Sequence, residues 1–354
     1  LNQLNSQNYN VIGVMSGTSL DGVDLVHVHL VRETSWNFHV KVAQTVPYSD
    51  FWKQCLAGAM ELDSDALSLL NAAYTQLLAQ IITGFITANN VTGLLAVCSH
   101  GHTVYHEPAA GKTLQIGNLE MLSRLIAVRV VCDFRTEDVQ LGGQGAPLVP
   151  VGDKLLFARY AYCLNLGGFA NVSYDDNGNR VAFDICPVNV VMNQIATLLD
   201  MEYDGNGAFA KAGNCNHPAL KALNNLEFYK LPAPKSLGME WVNRYVWAIL
   251  DQVERPQDKL ATVVEHVAMQ IAKVITTQDT VLVTGGGTHN AFLIERLQFH
   301  SNARFVLPDR ELIEFKEAII FALLGVLRLR NEPNCLASVT GAPVDHCSGK
   351  IYVP

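Results

Sequence analysis

An apolar run at residues 9–15 breaks into Ser16-Gly17-Thr18-Ser19-Leu20-Asp21-Gly22-Val23-Asp24, and a second apolar run follows at residues 25–31. Two alternating runs around so short a polar break predict a β-hairpin. Its glycines allow positive φ and close approach of a ligand to bare backbone, while Ser16, Thr18 and Ser19 add hydroxyl and N–H donors, a set able to cradle phosphate. Asp21 and Asp24 would repel phosphate directly, so a magnesium ion between carboxylate and phosphate is the natural mediator. Taken alone, such a segment is more often an ordinary turn than a phosphate site.

The remaining residues limit what can surround this hairpin. A chain of 354 residues exceeds what one core usually holds, which predicts two domains, and 49% hydrophobic against 16% charged residues supplies ample core for both. The net charge of −8 and the absence of a basic stripe argue against a nucleic-acid partner. Eight cysteines are scattered, mostly within apolar runs and without CxxC spacing, which fits buried thiols in a reducing compartment. Residues 1–8 lack the pattern of a signal peptide, and no uninterrupted apolar run approaches the roughly 18 residues of a membrane span. A soluble cytoplasmic protein with no membrane partner is the expectation.

Along the chain, residues 38–47 read as a third antiparallel strand after the hairpin. Ser64 or Asp65 can cap a long amphipathic helix through Leu67, Leu70, Tyr74, Leu77, Ile81 and Phe85. Strands at 94–98, 113–116 and 128–132 and a helix at 119–126 complete a first α/β unit. The Gly- and Pro-rich stretch 133–150 reads as the crossover, after which the pattern recurs: strands at 161–166, 170–174 and 180–183, a helix at 188–199, a polar insert at 200–234, a helix capped by Asp258, a strand at 280–284 and a nearly all-apolar helix at 311–330. Two units of similar layout are predicted, residues 1–138 joined by the tail from about 335 to 354, and residues 139–334.

The second unit carries its own glycine hairpin, Asn165-Leu166-Gly167-Gly168-Phe169-Ala170-Asn171, and a later cluster, Gly285-Gly286-Gly287-Thr288-His289-Asn290, that follows a strand and opens a helix. The latter is not a dinucleotide fingerprint, since Asn290 stands where its third glycine would be, and no Walker A sequence occurs. Matching hairpins in two matching units suggest phosphates held from both sides.

The order of these features resembles the actin, hexokinase and Hsp70 superfamily, and more closely the anhydro-N-acetylmuramic acid kinase family. That family's opening signature, G-T-S-x-D-G-x-D, is matched at every fixed position from Gly17 to Asp24, with further similar stretches at Ser99-His100-Gly101-His102-Thr103, Asp133-Phe134-Arg135, residues 142–150 and 165–173, Gly285 to Asn290, and Glu317-Ala318. The resemblance implies two similar actin/ribonuclease H-like α/β domains with a nucleotide and substrate cleft between them, ATP and Mg2+ as cofactors, an amino sugar as substrate, and a homodimer. The implied reaction is hydrolytic opening of the 1,6-anhydro ring coupled to phosphorylation at O6. A kinase of another sugar on the same scaffold, and an actin-like ATP-binding protein without catalysis, are the two rivals.

By the same resemblance Gly17, Thr18, Ser19, Leu20, Asp21, Gly22, Val23, Asp24, Asn165, Gly167 and Gly168 would hold phosphate and, through Asp21 and Asp24, magnesium; Gly285, Gly286 and Gly287 would hold the adenosine. His100, Arg135, Asp138, Gln144, Asn189 and Glu317 would surround the sugar. Asp184 would activate the attacking water. From the residues alone, Asp184 reads as an Asp between a strand and a helix, where the helix dipole keeps it ionised; the chain has Ile185, Cys186 and Val188 where the family pattern F-D-T-G-P-G-N has Thr and two Gly. Arg135 and Asp138 read equally well as a surface ion pair. Glu317, set in an apolar helix, is expected to be buried with a partner. His100, His102 and His106 would share one side of an extended segment, which zinc could use, although no acid or cysteine completes a familiar spacing.

Overall fold

The computed structural model describes residues 7–17 and 20–354. The strands are β1 (Asn8–Ser16), β2 (Gly22–Arg32), β3 (Trp36–Pro47), β4 (Ala96–Glu107), β5 (Lys112–Ile116), β6 (Val130–Cys132), β7 (Tyr162–Leu166), β8 (Phe169–Asp176), β9 (Asn179–Pro187), β10 (Thr280–Thr284), β11 (Arg304–Val306) and β12 (Lys350–Tyr352). The first sheet runs β12-β6-β4-β1-β2-β3, with β5 paired to β4; the second runs β11-β10-β7-β8-β9. In each, the first three strands form an antiparallel meander and the next strand returns parallel to the first. This repeated order is the ribonuclease H-like α/β arrangement expected from the sequence.

Two compact units result, Leu1–Leu156 with Phe315–Pro354, and Phe157–Glu314. The crossover expected after residue 138 therefore falls at 156, and the return expected near 335 falls at 315. The reason is packing. The helix Arg310–Arg330 lies so close to the first sheet that a Cβ at Gly13 would sit 1.9 Å from the Ala318 carbonyl oxygen, and one at Gly325 would sit 2.2 Å from Cys98 Sγ. On the other face of β1, Ile12 and Val14 share a core with Tyr74, Leu78, Ile82 and Phe85 of the helix Ser64–Ala88. With both faces covered, the central strands read as continuous apolar runs.

That helix is capped by Asp63, whose Oδ1 accepts from the Ala66 N–H at 2.9 Å, and not by Ser64 or Asp65. By length and composition it is also long and apolar enough to cross a membrane, which the search for an uninterrupted apolar run misses because Asn71, Gln76 and Gln80 punctuate it. Asp258 lies in the first turn of the helix Pro256–Val274 and does not cap it; its Oδ1 accepts instead from the Asn214 N–H at 2.8 Å. The polar insert thus belongs to the second unit, where Asn224 and Tyr229 bind His266 of the same helix at 2.8 and 2.9 Å.

Candidate functional site

The β1–β2 hairpin forms as expected, with Ser16 opposite Val23. Thr18 and Ser19 lie outside the described residues. The positive φ falls on Leu20, at 60°, and on neither glycine. Gly22 is needed for a different reason: a Cβ there would lie 2.4 Å from the Val46 carbonyl oxygen on β3. Val23 is fully buried in the core and can offer a ligand only its backbone. Asp21 is exposed at the tip, and Asp24 on β2 accepts from Thr45 Oγ1 at 2.6 Å. Carboxylate oxygens are ligands that Mg2+ accepts, so the chemistry of Asp21 and Asp24 fits the ion. Beneath the hairpin Ser16 Oγ bonds the Tyr48 hydroxyl at 2.6 Å and accepts from the Tyr74 hydroxyl at 2.9 Å. Burial raises the pKa of both phenols, so this support stays neutral. Nothing in the sequence separates these tyrosines from ordinary core residues.

His100, Arg135, the 144–145 loop and Glu317 belong to the first unit. His100 is buried; its Nδ1 donates to the Gly101 carbonyl at 2.8 Å, which leaves Nε2 to accept from Arg135 Nε at 2.9 Å. Burial, and then the Arg135 charge, hold its pKa well below the ordinary imidazole range. Arg135 also donates to the Gly145 carbonyl at 2.8 Å. Asp138 is no surface partner for it. Fully buried, Asp138 accepts from the Gly145 N–H at 2.6 Å and from Thr340 Oγ1 at 2.7 Å, which holds the loop and keeps the carboxylate away from ligand. Gln144 is exposed, anchored by its N–H to the Thr340 carbonyl at 2.7 Å.

Glu317 departs from expectation. The helix buries Phe315, Lys316, Ala318 and Ile319 around it, yet Glu317 reaches solvent, and its carboxylate has no hydrogen bond among the described residues. Desolvation raises its pKa, and Arg135 followed by Lys316 oppose the rise. The buried charge of this helix is Lys316, paired with Asp153 at 2.7 Å. Nor do the three histidines form a cluster. Gly101, at φ 76°, breaks the alternation, and the rings find separate partners, His102 at Ser16 Oγ (3.3 Å) and His106 at Thr113 Oγ1 (2.9 Å). Asn118, absent from the sequence-based set, donates to the His100 carbonyl at 2.9 Å and keeps a buried Oδ1 without a partner.

In the second unit three loops meet. Gly285, at φ 84°, could not carry a Cβ, which would lie 2.5 Å from Asn165 Oδ1 and 2.8 Å from the Leu166 carbonyl carbon. Gly286 is exposed with open space around it, while Gly287 packs on Leu166. The Gly168 carbonyl accepts from the N–H groups of Val188 and Val190, and Asn189 Nδ2 donates to the Leu166 carbonyl at 3.1 Å. Asn189 thus ties the Gly167-Gly168 turn to the start of the helix Asn189–Thr197. Thr284 and Thr288, flanking the glycines, have buried hydroxyls without partners.

Asp184 lies inside β9, not after it, and outside the first turn of the next helix. Its N–H donates to the Lys235 carbonyl at 3.0 Å, and its Oδ2 accepts from the Leu237 N–H at 2.8 Å. Desolvation raises its pKa, and the Leu237 hydrogen bond only partly offsets this, so the expected stabilisation of the charge by a helix dipole is replaced by a more basic carboxylate. Ile185, Cys186 and Val188 turn their side chains into the second core.

A model of the anhydro-N-acetylmuramic acid kinase family matches residues 9–354. Relatives of that name include one from Pseudomonas syringae pv. tomato, 34% identical over 96% of this chain and 98% of its own. Another, from Sulfurovum sp., is 33% identical over 99% and 100%. Among solved structures, component A of the Acidaminococcus fermentans (R)-2-hydroxyglutaryl-CoA dehydratase aligns at TM-score 0.48 with 12% identity, over 91% of this chain and 99% of that one. A ROK family glucokinase from Streptomyces griseus, in complex with glucose and AMPPNP, aligns at 0.41 with 11% identity, over 89% and 99%. The family match runs from the first strand to the last residue, and on it the chain belongs to the anhydro-N-acetylmuramic acid kinase family.

Proposed function

We propose that this protein uses ATP to convert 1,6-anhydro-N-acetylmuramic acid into N-acetylmuramic acid 6-phosphate, in the recycling of cell-wall amino sugars. The observation that carries the reading is Asp184: one carboxylate oxygen is held by Leu237, and the other has no hydrogen bond among the described residues. Burial raises its pKa, which makes it a stronger base than an exposed carboxylate.

In the mechanism, Asp184 takes a proton from water as that water's oxygen bonds to C1 of the sugar. The C1–O6 bond breaks, O6 attacks the γ-phosphorus, and ADP leaves. His100 and Arg135 form a neutral-imidazole and guanidinium pair suited to sugar hydroxyl and carboxylate groups, with Glu317 supplying an exposed acceptor. The loops around Gly285 and Gly167 present bare backbone to the nucleotide, with Thr284 and Thr288 as unsatisfied donors. Asp21 and Asp24 would hold Mg2+, which supplies charge neutralisation on the phosphates. Catalysis then rests on positioning and preorganised charge. ATP as donor, together with eight cysteines outside any disulfide, fits the cytoplasm; a homodimer is carried from the family resemblance and is checked by analytical ultracentrifugation.

Ile185, Cys186 and Val188 place their side chains in the core, and the choice between this substrate and another sugar is made by assay. Incubation with ATP, Mg2+ and the anhydro sugar should release ADP and a 6-phosphate in equal amounts by mass spectrometry. ADP release stimulated only by other sugars would shift the substrate, and none with any sugar would remove the kinase reading.

A further inference from the structure

Two strands of chemistry converge on Asp138 from the C-terminal tail. Cys335 and His346 face each other as an isolated antiparallel pair, with the Cys335 N–H donating to the His346 carbonyl at 3.1 Å and the return bond at 3.2 Å. Such a pair sends both side chains to one side of the ladder. There they meet Asp138 of the first unit, and one ligand atom from each residue, Asp Oδ, Cys Sγ and His Nε2 or Nδ1, lies within 4.8 Å of the others.

The protonation states are informative. His346 Nδ1 lies 3.1 Å from the Val344 carbonyl, which can only accept, so Nδ1 carries the hydrogen. Nε2 is buried, makes no hydrogen bond, and stands 3.4 Å from Asp138 Oδ1. The imidazole nitrogen and the carboxylate thus face each other without a hydrogen bond, a gap that a cation bound to both would bridge. The Cys335 side chain is fully buried beside them, with no disulfide partner.

We propose that Asp138, Cys335 and His346 form a site for a borderline-soft divalent cation, Zn2+ by preference. A carboxylate, a thiolate and an imidazole are ligands that zinc accepts and Mg2+ does not favour. Zinc–ligand bonds of about 2.0–2.3 Å need the three atoms roughly 3.3–3.8 Å apart, a closure of about an ångström. The Val344 carbonyl orients the imidazole, and Thr340 Oγ1 and the Gly145 N–H orient the carboxylate, the outer hydrogen bonds a metal site requires. Binding releases the Cys335 proton to solvent and ties the tail to the loop that carries Gly145. The site is separate from the phosphate-bound Mg2+ proposed above and does not depend on that reaction.

Titrating the full chain with Co2+ tests this. One equivalent should bind with a thiolate-to-cobalt charge-transfer band and the visible bands of a tetrahedral ion, and Zn2+ should displace it. Cys335→Ser should abolish the charge-transfer band, His346→Ala should weaken binding at least about tenfold, and Cys347→Ser should change neither. Zn2+ should raise the melting temperature of the wild type and not of His346→Ala. No thiolate band in the wild type, or the same band in Cys335→Ser, overturns the proposal.

Discussion

The Leu237 N–H donates to Asp184 Oδ2 at 2.8 Å, so the candidate base on β9 is aimed by a backbone group from the segment that follows the polar insert. That segment is held in turn by Lys235, whose carbonyl accepts from the Asp184 N–H and whose Nζ donates to the Phe228 carbonyl at 3.1 Å. Asp184→Asn keeps this hydrogen bond and removes the base, so turnover should fall by roughly 10²-fold or more while nucleotide affinity is retained. The same variant should be more stable than the wild type at pH 7. Burial raises the folded-state pKa of Asp184 above its unfolded value, so its protonated form favours folding, and that contribution disappears as pH rises through the folded pKa. The stability gap should therefore close on acidification from that pKa toward about 3.9, the unfolded value, as followed by melting temperature against pH.

Gly285 and Gly286 should respond differently to the same added methyl group. Gly285→Ala forces a left-handed φ on an alanine and drives its Cβ into Asn165 and Leu166, whereas Gly286→Ala meets only Asn189 Nδ2 at 3.8 Å. Isothermal titration should show nucleotide affinity reduced at least about tenfold for Gly285→Ala, from a backbone cost of about 1–2 kcal/mol plus the clash. Gly286→Ala should retain the fold and melting temperature of the wild type.

Arg135 serves His100 and Gly145 with two different nitrogens. Arg135→Met should raise the sugar KM at least about tenfold, the loss of hydrogen bonds to a charged group worth about 1.5–3 kcal/mol, and leave the nucleotide KM unchanged. Arg135→Lys should not restore it, because an ammonium cannot make both directed contacts. Steady-state kinetics with each substrate varied in turn decides the matter.

The Lys316–Asp153 pair is almost sealed from water, with side-chain exposures of 6% and 5%. Lys316→Met removes the counter-charge of a buried carboxylate and should cost about 3–5 kcal/mol in urea denaturation, while the double variant Lys316→Met, Asp153→Leu should recover most of it. Full loss in the double variant would show that the pair itself is worth its burial.

Apolar runs bounded by Gly- and Asp-rich turns made both meanders legible, continuous in β1 where both faces are covered and alternating in β3 at the sheet edge. The glycine loops were legible through what they lack, and Gly285 behaves as its position between strand and helix suggested. Other expectations failed where the answer depended on distant chain. Glu317 lies in an apolar helix and should be buried by that measure, but it is exposed while its neighbours Lys316 and Ala318 are buried, which the helix's own periodicity does not reveal. The crossover was placed at the most Gly- and Pro-rich stretch, whereas residues 139–156 stay with the first unit.

Local pattern by itself settled which segments are strands and carried the motifs of the family to which the chain belongs, whereas the need for glycine at Gly13, Gly22, Gly285 and Gly325 comes from chain brought close by the fold. Tertiary structure alone decided the chemical state of the groups. Asp184 is more basic because a strand buries it, His100 is neutral because Arg135 and the protein interior surround it, and Asp138 meets Cys335 and His346 only because a tail some two hundred residues later folds back. Desolvation and long-range charge depend on neighbours that the linear order does not place.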